Sequence, residues 1–297
     1  MYTFLTRHLL LLILTCSVFT FYVGHLNQWN LELVVLGTTS LTLAIALLLE
    51  RRIPFDPNWN KSQGDTTTDL TSAFVLIALV DPFLKFLSPI VVVAVYSLLN
   101  LAGPNSIIDP ASLPLIIHII VVTLLVELGR YWSHRLHHVL APLWRLHAMH
   151  HSSRRLYAIN NLRFHPLNYG LNFGVSVLPV MILGFPPEAL LGYLAISQPI
   201  LMLQHANLNL NSGWLNYVFS TNELHRWHHS NSAEEANSNY GNAIVLWDHV
   251  FNTFRYEADS INSPRTVGLF ASDQNYPEKM GYFKQLCSSF KPGCCAT

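Results

Sequence analysis

Leu124-Leu125-Val126-Glu127-Leu128-Gly129-Arg130-Tyr131-Trp132-Ser133-His134-Arg135-Leu136-His137-His138 closes an apolar run that begins at Leu113. No proline separates the run from its histidines, so one helix is expected to leave a bilayer carrying imidazoles at its end. His134 and His138 stand at i and i+4, which puts them on one helical face, roughly 5–6 Å apart at Cβ. Pro142 is expected to end or kink that helix. A second helix should start near Leu143 and carry His147-Ala148-Met149-His150-His151. A third cluster, His225-Arg226-Trp227-His228-His229, repeats the H-x-x-H-H spacing of the second. These clusters hold nine of the fifteen histidines.

Imidazole is the commonest protein ligand for transition metals. One tetrahedral zinc takes about four ligands, and the clusters supply too many for that. The expected site therefore holds two metals, built where helices meet at a membrane.

Composition agrees. The 297 residues are 51% hydrophobic and 11% charged, against about 25% charged in a soluble domain. The formal net charge is +0, so nothing indicates a nucleic-acid partner. Four segments approach the roughly 20 apolar residues needed to cross a bilayer: Phe4–Val23, Leu31–Leu49, Phe83–Leu101 and Leu113–Leu128. The first lacks a small-residue cleavage site and is read as a retained anchor. Leu70–Val80 either lengthens the third span or lies in the interface. Leu171–Leu183 and Ala189–Leu203 form a shorter apolar pair around Gly184-Phe185-Pro186-Pro187-Glu188, expected as a re-entrant hairpin or two short crossings.

The fold class expected is an all-α integral membrane protein with about four spans, a hydrophobic hairpin and a cytosolic helical cap holding the dimetal site. Residues 1–110 are expected as a membrane-spanning region, 111–258 as the catalytic domain and 259–297 as an arm and tail. Gly24–Asn30 has no Lys or Arg, whereas Arg51, Arg52 and Lys61 follow the second span and Arg130, Arg135, Arg145, Arg154, Arg155 and Arg163 follow the fourth. The positive-inside rule places the N-terminus and all three clusters in the cytoplasm. Cys16, Cys287, Cys294 and Cys295 form neither a disulfide framework nor a zinc knuckle. Cys294-Cys295-Ala296-Thr297 has the outline of a prenylation box with a poor last residue.

Residues around the clusters are candidates for orienting ligands. Glu127 lies seven residues before His134, two turns down one face, and is expected to accept a proton from a ligand imidazole and fix its tautomer. The alternative is an interfacial pairing with an Arg. Asp248 is a second such acceptor, or a plain surface residue. Gly241 is expected at a turn or a close backbone approach. His137 is rotated about 100° from His138 and is expected as a surface or interfacial residue. His165 and His205 stand alone; His8, His25, His118 and His249 lack partners.

The motifs Tyr131-Trp132-Ser133-His134-Arg135-Leu136-His137-His138, Leu143-Trp144-Arg145-Leu146-His147-Ala148-Met149-His150-His151-Ser152 and Leu224-His225-Arg226-Trp227-His228-His229-Ser230 occur in order, followed by Asn239-Tyr240-Gly241 and Trp247-Asp248. Over residues 113–256 the chain resembles the fatty acid hydroxylase / sterol desaturase superfamily of integral-membrane di-iron oxygenases. The resemblance implies metal ligation by His134, His138, His147, His150, His151, His225, His228 and His229, and adds His205 and His165. It implies two iron ions, O₂ as co-substrate and a membrane lipid as substrate. Zn²⁺ has no redox chemistry, so zinc is expected only as a substitute in purified protein. Asn252 departs from the family's usual Gly after Phe251.

No haem, flavin, nicotinamide or ferredoxin motif is visible in the sequence, so a separate cytochrome, ferredoxin or reductase is expected to supply electrons. The reaction expected is hydroxylation of an unactivated C–H bond of a fatty acyl, sterol or related lipid, or its desaturation. Ligand spacing does not separate the two. The alternative is a membrane metal transporter, which would place ligands inside its spans. A zinc hydrolase would need fewer ligands. The bacterial inner membrane and the endoplasmic reticulum are both compatible locations.

Overall fold

A computed structural model describes residues 2–100, 103, 109, 113–263, 265–273, 275–291 and 294–295. Among these the chain is all helical, with only isolated β-bridges such as Ser230 to Val267. The elements are α1 (Tyr2–Leu26), α2 (Leu31–Leu49), α3 (Thr66–Val75), α4 (Asp81–Leu98), α5 (Leu115–Val139), α6 (Ala141–His151), α7 (Pro166–Ile182), α8 (Pro187–Gln204), α9 (Asn222–His228), α10 (Ala233–Ala236), α11 (Leu246–Val250) and α12 (Tyr282–Ser288).

Four continuous helical segments are long and apolar enough to span a bilayer: Phe4–Leu26, Leu31–Leu49, Thr66–Leu98 and Leu115–Val139. Large side chains such as Leu33, Leu36, Phe74 and Phe86 stand exposed on them. Water would not tolerate such a surface, and lipid is its natural solvent.

The third segment starts earlier than the span expected at Phe83–Leu101; Leu101 itself lies outside the described residues. A π turn over Leu76–Val80 joins α3 to α4. Pro82 occupies the first turn of α4, where a missing N–H costs little. The segment's 33 residues reach about 50 Å, beyond a hydrocarbon core of about 30 Å. The surplus is the α3 end, which packs on polar structure. Ser72 Oγ donates to the Leu162 carbonyl at 2.8 Å, and buried Asp69 pairs with buried Arg163.

The expected hairpin is two full helices. Gly184, at φ +82°, turns the chain between α7 and α8. α8 runs through the centre of the bundle and packs on α1, α2 and α5. Ser17 of α1 donates to the Ala195 carbonyl at 2.8 Å. α5 and α7 approach closely at Gly129, where a Cβ would lie 2.5 Å from the Val175 carbonyl oxygen.

The helix carrying His134 and His138 breaks at Leu140, which is extended (φ −111°, ψ 114°). Pro142 then sits in the first turn of α6. α6, α9 and their loops form a cap on one end of the bundle. The C-terminal arm straps over α6: Trp144 Nε1 donates to Asp273 at 3.2 Å, and Ser289 Oγ to the Arg145 carbonyl at 2.9 Å. Cys294 and Cys295 are buried beneath this strap; Ala296 and Thr297 of the possible prenylation box lie outside the described residues.

Candidate metal centre

Nine imidazoles converge in two adjacent groups. His134, His138, His147, His151 and His228 form one; His150, His205, His225 and His229 form the other. The two H-x-x-H-H motifs each serve both groups. His147 and His151 go to the first and His150 to the second; His228 goes to the first and His225 and His229 to the second. Neighbouring residues on a helix project about 100° apart, so each doublet straddles two centres. His151 stacks on His229 across the boundary at 4.2 Å.

Hydrogen bonds at one ring nitrogen leave the other bare. Nδ1–H donates from His134 to the Tyr240 carbonyl (2.9 Å), from His147 to Asn168 Oδ1 (2.9 Å) and from His228 to the Ser238 carbonyl (2.9 Å). In the second group Nδ1–H donates from His150 to the Arg163 carbonyl (3.2 Å) and from His205 to Asn160 Oδ1 (2.8 Å). These acceptors fix the tautomer that presents Nε2 inward. Nε2 of His134, His147 and His228 is buried without a partner, as are both ring nitrogens of His138 and His151.

In the second group the inward atoms crowd. His205 Nε2 and His225 Nε2 are 3.0 Å apart, His229 Nε2 and His150 Nε2 3.1 Å, and His229 Nε2 and His225 Nε2 3.2 Å. His150 and His205 use their protons outward, so lone pairs face nitrogen. With lone pairs also turned inward from His225 and His229, all four would hold a cation at about 2.0–2.1 Å.

Burial and like neighbours hold the imidazoles in the neutral form that ligates. The His150 pKa is pushed down to about 3, first by burial and then by His134. Burial also drives His147, His151, His205, His225, His228 and His229 well below the ordinary histidine value, with neighbouring imidazoles as the next cause. The donor set thus fits two metal ions, one with five nitrogen ligands available and one with four.

The structure does not bring His165 to either group. Its Nδ1 accepts from the Leu167 amide at 3.1 Å and caps α7, which carries Asn168 in its first turn.

Glu127 and Asp248 do not touch an imidazole. Glu127 accepts from Tyr193 Oη (2.8 Å), Asn242 Nδ2 (3.1 Å), and the amides of Ala243 (2.8 Å) and Ile244 (3.0 Å). Asp248 accepts from the amides of Tyr240 (2.8 Å) and Gly241 (2.7 Å) and from Thr253 Oγ1 (2.7 Å). Both therefore grip the 240–244 turn whose Tyr240 carbonyl holds His134. Gly241 is needed there because a Cβ would lie 2.3 Å from the Ile244 oxygen. Asn252 adopts φ +55°, a left-handed conformation that Asn tolerates better than most residues, which accounts for its standing in for Gly.

His137, expected at the surface, is buried. Its Nδ1–H donates to the Ser133 carbonyl at 2.7 Å, and its Nε2 accepts from Asn168 Nδ2 at 3.1 Å. The same Asn168 holds His147, so His137 fixes which way that amide faces. Asn160 and Asn168 were missed from sequence; their only signal is a position between histidine motifs.

A cavity of about 150 Å³ abuts both groups. His134, His147, His150 and His225 line one side of it, and Phe164, Leu201 and Met202 contribute apolar wall.

A membrane bundle capped by two imidazole groups is the architecture of a histidine-ligated membrane metalloenzyme. Residues 119–253 match the fatty acid hydroxylase family model. The chain is 34% identical to the ornithine lipid hydroxylase OlsE of Rhizobium tropici over 254 residues, 84% of this chain and 73% of that protein. It is 30% identical to the Caenorhabditis elegans alkylglycerol monooxygenase over 147 residues, 49% of this chain and 28% of that protein. With the human alkylglycerol monooxygenase it shares 29% over 137 residues, 46% of this chain and 30% of that protein. No solved structure matches. The chain belongs to the fatty acid hydroxylase family and is an oxidoreductase.

Proposed function

We propose that this enzyme hydroxylates an unactivated C–H bond of a membrane lipid, using O₂, two iron ions and electrons from a separate protein. The observation that carries the reading is the pair of buried nitrogen groups, one with inward nitrogens that have no protein partner and one whose inward nitrogens meet only one another. The relatives named for hydroxylating ornithine lipid and oxygenating alkylglycerols support a lipid substrate, and the first makes an amino-acid lipid the leading choice.

Iron bound there would supply reductive activation of O₂, with the balance R–H + O₂ + 2 e⁻ + 2 H⁺ giving R–OH + H₂O. The nine imidazoles would hold the metals: His134, His138, His147, His151 and His228 one, His150, His205, His225 and His229 the other. Tyr240, Ser238 and Arg163 carbonyls, with Asn160 and Asn168, fix ring tautomers and orientation. Phe164 stacks on His150 at 4.2 Å, and Trp144 packs on His138 and His151, excluding water from the ligand rings. The cavity offers a place for the reacting carbon beside both groups. The Arg-rich end of the molecule is assigned to the cytoplasm, where a soluble or membrane-bound electron donor can dock.

The test is metal analysis of detergent-purified wild type and His150→Ala, joined to lipid profiling of expressing cells. Two irons per wild-type chain, a loss in the variant and lipids heavier by one oxygen atom support the reading. Lipids lighter by two hydrogens point to desaturation. No bound iron after anaerobic reconstitution, with no lipid change, refutes it.

A further inference from the structure

The cavity beside the imidazoles carries an unpaired cation. Arg130 lies one turn before His134 on α5, at i−4, and both line the cavity. Among the described residues Arg130 makes no hydrogen bond to another side chain or carbonyl and no ion pair, and its Nε is buried without an acceptor. Glu127, the nearest carboxylate along the helix, is already taken by four donors from elsewhere. No Asp or Glu lines the cavity. Tyr169, also on its wall, gives its hydroxyl proton to Asp81 at 3.2 Å, and Asp81 is held by Lys85 at 2.8 Å.

Gln204 and Asn242 on the wall are likewise bonded within the protein, but three further polar side chains there are not. Asn172 of α7 has a buried Oδ1 with no donor. The side chains of Asn161 and of Gln198 on α8 line the same space and bond to no protein group. Arg130, Asn172, Asn161 and Gln198 thus bring polar side chains to one small volume, with Arg130 Nε and Asn172 Oδ1 buried and without a partner.

Arg130 sits where α5 leaves the bilayer, half-buried with its Nε buried and unpaired, and a buried polar group without a partner is costly. A guanidinium is a planar fork that matches an oxyanion two hydrogen bonds at a time. About 150 Å³ is below the roughly 300 Å³ where drug-sized pockets begin, so the space suits a compact polar group. We infer that Arg130 binds an oxyanion of the lipid substrate, a carboxylate or a phosphate, with Asn172, Asn161 and Gln198 meeting the polar atoms beside it. This rests on the lipid-oxidising reading and adds what the substrate must carry: a negative charge within reach of the metal ligands.

The test reads binding in metal-free protein, so it does not depend on turnover. Full-length protein in mild detergent is titrated with ornithine lipid, its carboxyl methyl ester, phosphatidylethanolamine and a neutral alkylglycerol. Bound lipid is counted by native mass spectrometry. The wild type should hold a lipid that bears the matching oxyanion about 10- to 100-fold more tightly than the ester or the alkylglycerol, the gain of a bidentate charged contact. Preference for ornithine lipid assigns a carboxylate, and preference for phosphatidylethanolamine a phosphate. Arg130→Gln should abolish the preference, and Arg130→Lys should restore part of it. Equal binding of acid and ester by the wild type, or a preference that survives in Arg130→Gln, overturns the inference. The acid–ester comparison needs no variant and so stands if Arg130→Gln fails to fold. Hydroxylation without anion preference would sink this inference alone; anion preference in a protein that binds no iron would sink the functional reading alone.

Discussion

Replacing Glu127 separates two ways a buried carboxylate can serve a metal centre. Its position two turns below His134 suggests a direct bond to an imidazole, whereas the structure has it clamping Ala243, Ile244, Asn242 and Tyr193. Glu127→Ala leaves two buried amides and a tyrosine hydroxyl without an acceptor. Each such orphan costs about 1–3 kcal/mol, and partial relaxation should leave a net loss of about 3–5 kcal/mol. Glu127→Gln keeps the shape and one acceptor oxygen but turns an N–H₂ toward amide donors, for about 1–3 kcal/mol. The assay is unfolding of metal-free protein in detergent, followed by intrinsic fluorescence. A clamp predicts that both variants destabilise the metal-free fold in that order. Metal affinity should then fall as a consequence, through the Tyr240 carbonyl and His134. If both variants unfold like wild type while metal affinity drops 10- to 100-fold, the size typical of losing an outer-shell partner, the carboxylate is acting on an imidazole and the clamp is refuted.

Three other outcomes follow from the same geometry. Gly241→Ala drives a Cβ into the Ile244 oxygen and should cost about 1–3 kcal/mol or more, read by the same unfolding assay; a wild-type value would mean the turn shifts freely. His137→Phe keeps a ring but removes the acceptor for Asn168 Nδ2, so the five-histidine group should bind metal roughly 10-fold more weakly while the four-histidine group is unchanged. Competition with a chromophoric chelator resolves the two, and equal weakening would exclude the relay. The third concerns pH. The folded-state pKa of His150 lies near 3, below its unfolded value, so the unfolded chain takes up a proton first as pH falls. Stability of the metal-free fold is full above about pH 6.5 and should fall by about 1.4 kcal/mol per pH unit below it for this imidazole. An unfolding midpoint that stays flat from pH 7.5 to 5 would contradict a neutral buried cluster.

The convergence of the clustered histidines is legible because helical spacing is local. His134 and His138, and the two H-x-x-H-H motifs, announce shared faces from residue numbers alone. Their division between two centres was not legible, since it depends on how α6 and α9 face each other across the cap. The orienting residues were less visible still. Glu127 and Asp248 stand out in the sequence as carboxylates beside the clusters, yet the partners of Glu127 lie 66 to 117 residues away and those of Asp248 on a turn of irregular backbone. The burial of His137 is not legible from its own helix, because α7 brings Asn168 to it from elsewhere in the chain. Of the two placements expected for Leu70–Val80 the structure shows the one that lengthens the third span, and the helix begins still earlier, across Asp69, because the distant Arg163 pairs with that carboxylate.

An all-imidazole donor set raises an electrostatic question, because neutral rings would do nothing to offset the charge of two dications bound there, and neither Glu127 nor Asp248 contacts one of the nine rings. The helix directions supply part of the answer. His138 lies in the last turn of α5, His150 and His151 in the last turn of α6, His205 at the C-cap of α8, and His228 and His229 at the end of α9. Four helix C-termini therefore meet at the site, and each carries the negative end of its backbone dipole. The contribution of α9, only seven residues long, is the weakest. A favourable end is worth about 0.3–1 kcal/mol for a unit charge in the open and up to about 2 kcal/mol when partly buried, so three long helices amount to several kcal/mol. The tautomer-fixing acceptors extend the same pattern, since the carbonyls of Tyr240, Ser238 and Arg163 turn further negative dipole toward the rings. The fold would thus favour cations through backbone dipoles without neutralising them, and metals bound there would leave net positive charge facing the cavity. An anionic group beside Arg130 would meet that charge in a medium of low dielectric, where its attraction is greatest.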